Sequence, residues 1–540
     1  MPRRLSTRPL ALASILLPLA CARPSPSGDT EAGTGTTSGS TTDATSGAGT
    51  TTGTTSGLTT EPTGGDTGTP EPEKATIVHV FDPVTLAGFE ETLPCISWTL
   101  NNEKPLYVQA ISLVNSGGFH HSNGFVVPEH VYDGPDGVWD CDERGFNTLI
   151  AATEGTVLFG QSTQSLVEEQ RTNPGAVIKI PPHHRIVAEL HLLNLGPFPF
   201  DAQLRVGLEL IHPRDVDVVL TPFEFQYTDL EIPPQSEVRY AAVCEDFLRE
   251  ATKDRTRPFK LHWLLPHYHY LGNHFRFEVI GGPNDGEVLY QYDGFSASPS
   301  GKRFDPPIDL QQASGLKLVC GFKNWTNDTI YWGNGNGEMC IAFGFAEAAY
   351  ITQAGADHGA ADGLDGGVPL FSGSCLDLVI PKLPSQGPPT AEEIAAPLYV
   401  PPVDPEQQDL PPIPECEDTP ADAEPLVEPT LANIRAALLV PACSFSACHG
   451  TGGAAGGLSF EGPDLHAALL GHEVTGNTDL PLVDPGNPEG SWLYQKLSRC
   501  TPTDRDGKPA THMPLNAPFL SDPRLVAMVR EWIAAGASEG

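Results

Sequence analysis

Ile186-Val187-Ala188-Glu189-Leu190-His191-Leu192-Leu193-Asn194-Leu195 is a short apolar run between Pro181-Pro182 and Gly196-Pro197. A run of this length, bounded by turn residues, reads as a β-strand. Alternation along the strand puts Glu189 and His191 on one face. The same texture recurs at residues 106–114 and 275–280 and fills residues 77 to about 382. Roughly 300 residues exceed one sandwich, so two are expected, divided near residues 225–235. The expected class is mainly β: two tandem jelly-roll-type β-sandwich domains, followed by a small α-helical domain.

The flanks read differently. Arg3, Arg4 and Arg8 precede a short apolar core, residues 10–20, ending at Cys21. This is a secretion signal. Its end resembles a bacterial lipoprotein cleavage box, with Pro18 in place of the usual Leu and Cys21 as the lipidated residue; plain cleaved secretion is the alternative. Residues 22–76 hold Leu58 as the only large apolar residue and read as a disordered Thr/Ser/Gly tether. Residues 384–429 form a Pro-rich acidic linker without Lys or Arg. From residue 430 helical periodicity begins. Thr430 can cap a helix with Leu431, Ile434 and Leu438 on its face, and Ser521 can open a last helix burying Leu525, Met528, Val529, Trp532 and Ile533.

The chain has 540 residues, 31 Lys+Arg against 68 Asp+Glu, and a net charge of −37. Such a field repels phosphate backbones and disfavours nucleic-acid binding. No apolar run approaches the ~20 residues that span a bilayer, so membrane contact is expected through a lipid anchor alone. Eleven cysteines suit an oxidising compartment, here the bacterial cell envelope, periplasmic or outer surface.

Four local patterns carry chemistry: Phe119-His120-His121, Glu189-Leu190-His191, His267-Tyr268-His269-Tyr270-Leu271-Gly272 and Glu338-Met339-Cys340. His267 and His269, two apart on an expected strand, leave one face together. Imidazoles plus a thioether form a soft donor set that suits copper. Met339 is the only Met of the β region and lies among Asn334, Asn336 and Glu338 rather than in an apolar stripe. His79, His130, His212, His262, His274 and His358 read as surface or satisfied core residues.

In order and in combination these patterns resemble the type II copper, ascorbate-dependent monooxygenases, the family of peptidylglycine α-hydroxylating monooxygenase and dopamine β-monooxygenase. The resemblance covers about residues 77–380, as domains 77–229 and 230–383. It implies an electron-relay copper held by His120, His121 and His191, and an oxygen-binding copper held by His267, His269 and Met339. Trp139-Asp140-Cys141-Asp142-Glu143 is similar to a further family stretch. The resemblance also implies disulfides joining Cys95 to Cys141 and Cys320 to Cys340. Cys244 can then reach Cys375, and Cys416 with Cys500 remains as a bridge. Two departures matter. Adjacent His120 and His121 face opposite ways on a regular strand, so joint use requires a distortion. And Leu265, Ile341 and Phe343 stand where the peptide-amidating member has an Arg, an Asn and a Tyr for its substrate, which argues against peptide amidation and for a more apolar small molecule. Glu189 is a candidate to orient His191.

Cys443-Ser444-Phe445-Ser446-Ala447-Cys448-His449 resembles a haem c attachment site with four residues between the cysteines instead of two. It implies thioethers at Cys443 and Cys448, His449 as proximal ligand and Met513 as distal ligand, in a cytochrome-c-like domain 430–540. A Cys443–Cys448 disulfide in a haemless domain is the alternative. The expected function is thus an exported monooxygenase that uses O2, a small-molecule substrate and an electron donor, either ascorbate-type or the C-terminal domain. The other reading is a copper-binding, electron-transfer surface lipoprotein.

Overall fold

The computed structural model describes residues 73–540 apart from 162–164, 270, 295–300, 334–336, 383, 403–415, 446–447, 451–453, 475–479, 505 and 516–519. The signal, Cys21 and the tether up to residue 72 lie outside the described residues.

The opening stretch forms the strand His184–Leu193. It pairs antiparallel with Phe119–Pro128 on one side and Pro94–Thr99 on the other. Gly137–Asp140 and Thr156–Gly160 extend this sheet at its two edges, and the short strand Glu91–Thr92 pairs with Leu192 and Leu193. A second six-stranded sheet, built around Leu106–Asn115, pairs Leu204–Ile211 with Lys74–Val80. Lys74–Thr76, read from sequence as tether, therefore belong to a strand. Ile96, Ile111, Leu113, Ile186, Leu190 and Leu208 are among the buried residues that fill this first sandwich.

The second sandwich likewise has two six-stranded sheets. One runs through Phe259–His267, Ile341–Ala348 and Thr221–Tyr227; the other runs through Gly272–Ile280, Gly315–Asn324 and Ser236–Cys244. The strand Thr221–Tyr227 places the start of this sandwich earlier than the expected 229/230 boundary. Trp263, Leu265 and Phe345 of the second sandwich are buried in the apolar cluster of the first, with Phe343 packed against it. Each such side chain contributes about 2 kcal/mol to the seam.

Four disulfides are formed: Cys95–Cys141, Cys244–Cys375, Cys320–Cys340 and Cys416–Cys500.

The linker is less solvated than its composition suggests. Ala391–Ala395 is a helix with a capping box between Thr390 and Glu393. Glu393 faces Lys179 of the first sandwich at 3.8 Å, and the Tyr399 hydroxyl accepts from the Glu103 N–H at 2.9 Å.

The C-terminal segment has its own apolar core. Thr430 caps Leu431–Ile434, and Leu431, Ile434 and Leu438 are buried as the periodicity requires. The last helix is Pro523–Ala534, capped by Asp522 rather than Ser521 because its carboxylate reaches the Arg524 N–H. Its whole expected face, Met528 included, is buried.

Candidate metal centre

His191 and His121 are cross-strand partners at the end of the first sandwich. Beyond them the register slips: His191 pairs with His121, but Leu192 pairs with Phe119. His120 is the extra residue of a β-bulge, the distortion that adjacent ligands require. The ring centroids of His120 and His121 lie 4.8 and 5.1 Å from that of His191. One nitrogen from each of the three can be taken within 4.8 Å of the others, a spacing that fits a metal ion. The buried Nδ1 of His120 has no hydrogen-bond partner among the described residues.

The carboxylate on His191 is Glu91, not Glu189. Glu91 Oε1 lies 2.7 Å from His191 Nε2, while His191 Nδ1 faces His121 Nε2 at 3.4 Å. Glu189 points into a dry environment that pushes its carboxyl up to about 7. Glu91 sits on a two-residue strand a hundred residues away, so spacing within the motif could not reveal it.

In the second sandwich the ladder ends at His267, so His269 is not on the strand as expected. Its N–H leaves the sheet to donate to the Glu338 carboxylate at 2.8 Å, and the Leu271 N–H donates to the other oxygen at 2.7 Å. Tyr268 between them is buried in the sandwich core, so the two imidazoles still share a side, 5.3 Å apart. His269 Nδ1 lies 2.8 Å from the Gly337 carbonyl, which fixes the ring. Glu338 is fully buried, and that burial pushes its carboxyl up to about 8 against the pull of the backbone N–H groups. Sequence reading placed Glu338 in the motif but gave it no role. Met339 is 1% exposed and lies outside the apolar cluster that takes Cys340.

The two sets are contiguous rather than separated. The His121 and His267 ring centroids are 6.3 Å apart, and the strand Phe259–His267 brings the second set against the first across the seam. Burial holds His120 and His121 well below the usual imidazole range, reinforced by the neighbouring rings. Burial also pushes His267 to about 3 and lowers His269. Neutral imidazoles are the form that ligates metal. Four rings held neutral by burial, with His191 beside them, form a donor set that fits copper; Met339, next to Glu338 in the chain, is buried.

Leu265 and Phe343, read as facing the substrate, are engaged in the seam. An ideal Cβ on Gly160 would lie 3.2 Å from Leu265 Cδ2. Their apolar character is explained by packing between sandwiches and is not evidence for an apolar substrate.

In the C-terminal segment Cys443 and Cys448 are free thiols, so the disulfide alternative is not formed. The His449 N–H donates to the Cys443 carbonyl at 2.8 Å, folding the loop so that the three motif residues lie close. His449 Nδ1 lies 3.0 Å from the Leu458 carbonyl, and the ring packs on Phe460 at 4.8 Å. The Leu458 carbonyl on Nδ1 fixes the orientation of the His449 ring. Met513 is partly buried against the helical core.

No family model and no curated protein matches the chain. Among solved structures, the chain is similar to the capsid protein VP54 of the virus PBCV-1, fitted into the virophage Sputnik, at 5% identity and TM-score 0.20 over 56% of this chain and 98% of that one. The major capsid protein P2 of bacteriophage PM2 aligns at 8% identity and TM-score 0.21 over 51% and 98%. A secreted protein of Parabacteroides distasonis aligns at 9% identity and TM-score 0.14 over 50% and 88%. Alignments this loose bear on neither the fold nor the function of this chain.

Proposed function

We propose that the chain is an exported copper-dependent monooxygenase with tandem jelly-roll-type sandwiches and a cytochrome-c-like C-terminal module. One oxygen atom of O2 would enter a substrate C–H bond and the other leave as water, using two electrons and two protons. The observation that carries this reading is the convergence of His120, His121, His191, His267 and His269 from two sandwiches into one cluster. Copper held there would supply the one-electron chemistry that activates O2. The chain's own residues do the rest: Glu91 and Gly337 orient imidazoles, Glu338 pins the His269–Leu271 turn, and the seam excludes water. Export and lipidation at Cys21 belong to the same proposal, as do haem at Cys443, Cys448 and His449 and its distal ligand Met513.

The filled seam favours a second reading, a copper-binding, electron-transfer protein without hydroxylase activity. Aerobic assay of the copper-loaded protein with ascorbate and a panel of small substrates separates the two. Product equal to the O2 consumed supports the monooxygenase; two coppers cycling without product supports the second. Failure to bind copper, or copper content indifferent to His269→Ala and Met339→Ala, removes both.

A further inference from the structure

The Cys443–His449 loop does not hang from its linker. Phe445, between the two thiols, packs on Leu193 and Leu195, the end of the strand that carries His191. Phe89, next to the short strand bearing Glu91, packs into the helical core of the C-terminal segment. Arg524 of the last helix lies over the Phe198 ring at 5.2 Å. Gly457 faces Trp325 of the second sandwich so closely that a Cβ there would come within 3.1 Å of the indole. These contacts seat the helical segment on residues 89–91, on residues 193–198 and on Trp325.

Glu91 is two residues along the chain from Phe89, which makes this contact. Its carboxylate holds His191 Nε2 at 2.7 Å. The segment from His191 to Leu195 therefore carries both the His191 imidazole and the seat of Phe445, between the two cysteines.

We infer that this docked loop is the electron port of the His120/His121/His191 centre, with Phe445 on Leu193 and Leu195 as its contact. The inference rests on the copper and haem reading above and adds the route. With haem held through Cys443, Cys448 and His449 and copper held by the three histidines, one electron would pass from ferrous haem to cupric copper, giving ferric haem and cuprous copper. No proton moves and no bond forms or breaks. A small external reductant such as ascorbate restores the ferrous haem. The fixed dock differs from a tethered module, whose electron transfer depends on linker-limited encounters.

The test uses the full chain loaded with copper and carrying haem. Under anaerobic conditions it is mixed with one equivalent of ascorbate. The absorbance of reduced haem c and the cupric paramagnetic resonance signal are followed together. In the wild type the cupric signal falls in step with haem reoxidation. Phe445→Ala and Leu195→Ala should leave copper and haem content unchanged but slow this exchange by about tenfold or more, because a pre-formed contact becomes a diffusive one. Equal rates in wild type and both variants would overturn the port while leaving the proposed function standing. Absence of covalently bound haem on a denaturing gel also overturns it. Absence of copper overturns the monooxygenase reading, and the port with it.

Discussion

Glu91 shows how one side chain can control a site it does not ligate. By occupying His191 Nε2 it leaves Nδ1 to face His121. Replacing an outer carboxylate of this kind typically weakens metal binding by about 10- to 100-fold. Glu91→Gln should therefore lower the affinity of the His120/His121/His191 set by about that factor, measured by competition with a copper chelator, with little change in thermal unfolding. Affinity equal to wild type would reduce the Glu91 contact to a structural hydrogen bond. The five histidines that meet in the cluster were legible in the sequence because imidazoles in adjacent and alternate positions are uncommon. Their orienting groups were not: Glu91 acts across a sheet, the Gly337 carbonyl has no side-chain signature, and Glu189 satisfied the alternation rule yet lost its role to a neighbouring strand.

At the scale of elements, the bulge at His120 has a sharp consequence. The pairs Phe119 with Leu192 and His121 with His191 become consecutive rungs if His120 is removed. Deleting His120 should heal the ladder, so stability stays within about 1 kcal/mol of wild type while copper at that set is lost. His120→Ala keeps the bulge and loses the same donor. Calorimetry and copper analysis on both variants check this; a deletion that unfolds the protein would show that the bulge is structural. No sequence rule marks where a strand gains a residue, and adjacent histidines only required that it happen. The helix Ala391–Ala395 is the opposite case. Its Thr390 to Glu393 capping box was present in the sequence, hidden by the surrounding prolines.

At the scale of the molecule, the seam is the feature that composition concealed. Strand texture and length pointed to two sandwiches, and the four disulfides among the described residues pair as the resemblance implied for two of them and the remaining cysteines allowed for the others. That Leu265 and Phe343 close one sandwich upon the other needed coordinates, because an apolar residue facing a partner reads like one facing a ligand. The seam also contains a titratable group. His262 of the second sandwich is buried, with Nδ1 3.0 Å from the side-chain oxygen of Asn173 in the first, and the Asn173 amide donates to the Phe304 carbonyl at 2.8 Å. Burial pushes His262 to about 4. Its folded pKa is thus depressed, so its contribution to stability is present above about 6.5 and is lost as pH falls toward 4. The loss should be roughly 3 kcal/mol at most, at 1.36 kcal/mol per unit. Chemical denaturation at pH 7 and pH 4 should show that loss in wild type and a smaller one in His262→Gln. An identical pH response in the variant would place the acid sensitivity elsewhere.

The contact of His121 with His267 has one more implication. Four rings held neutral by burial, packed around one another with Glu91 at one margin, tolerate little accumulated positive charge. Two divalent ions there repel each other strongly, whereas two monovalent ions do so far less. If copper binds there as proposed, the enclosure would favour the cuprous pair, make the second cupric ion harder to load than the first, and raise the potential at which both accept electrons.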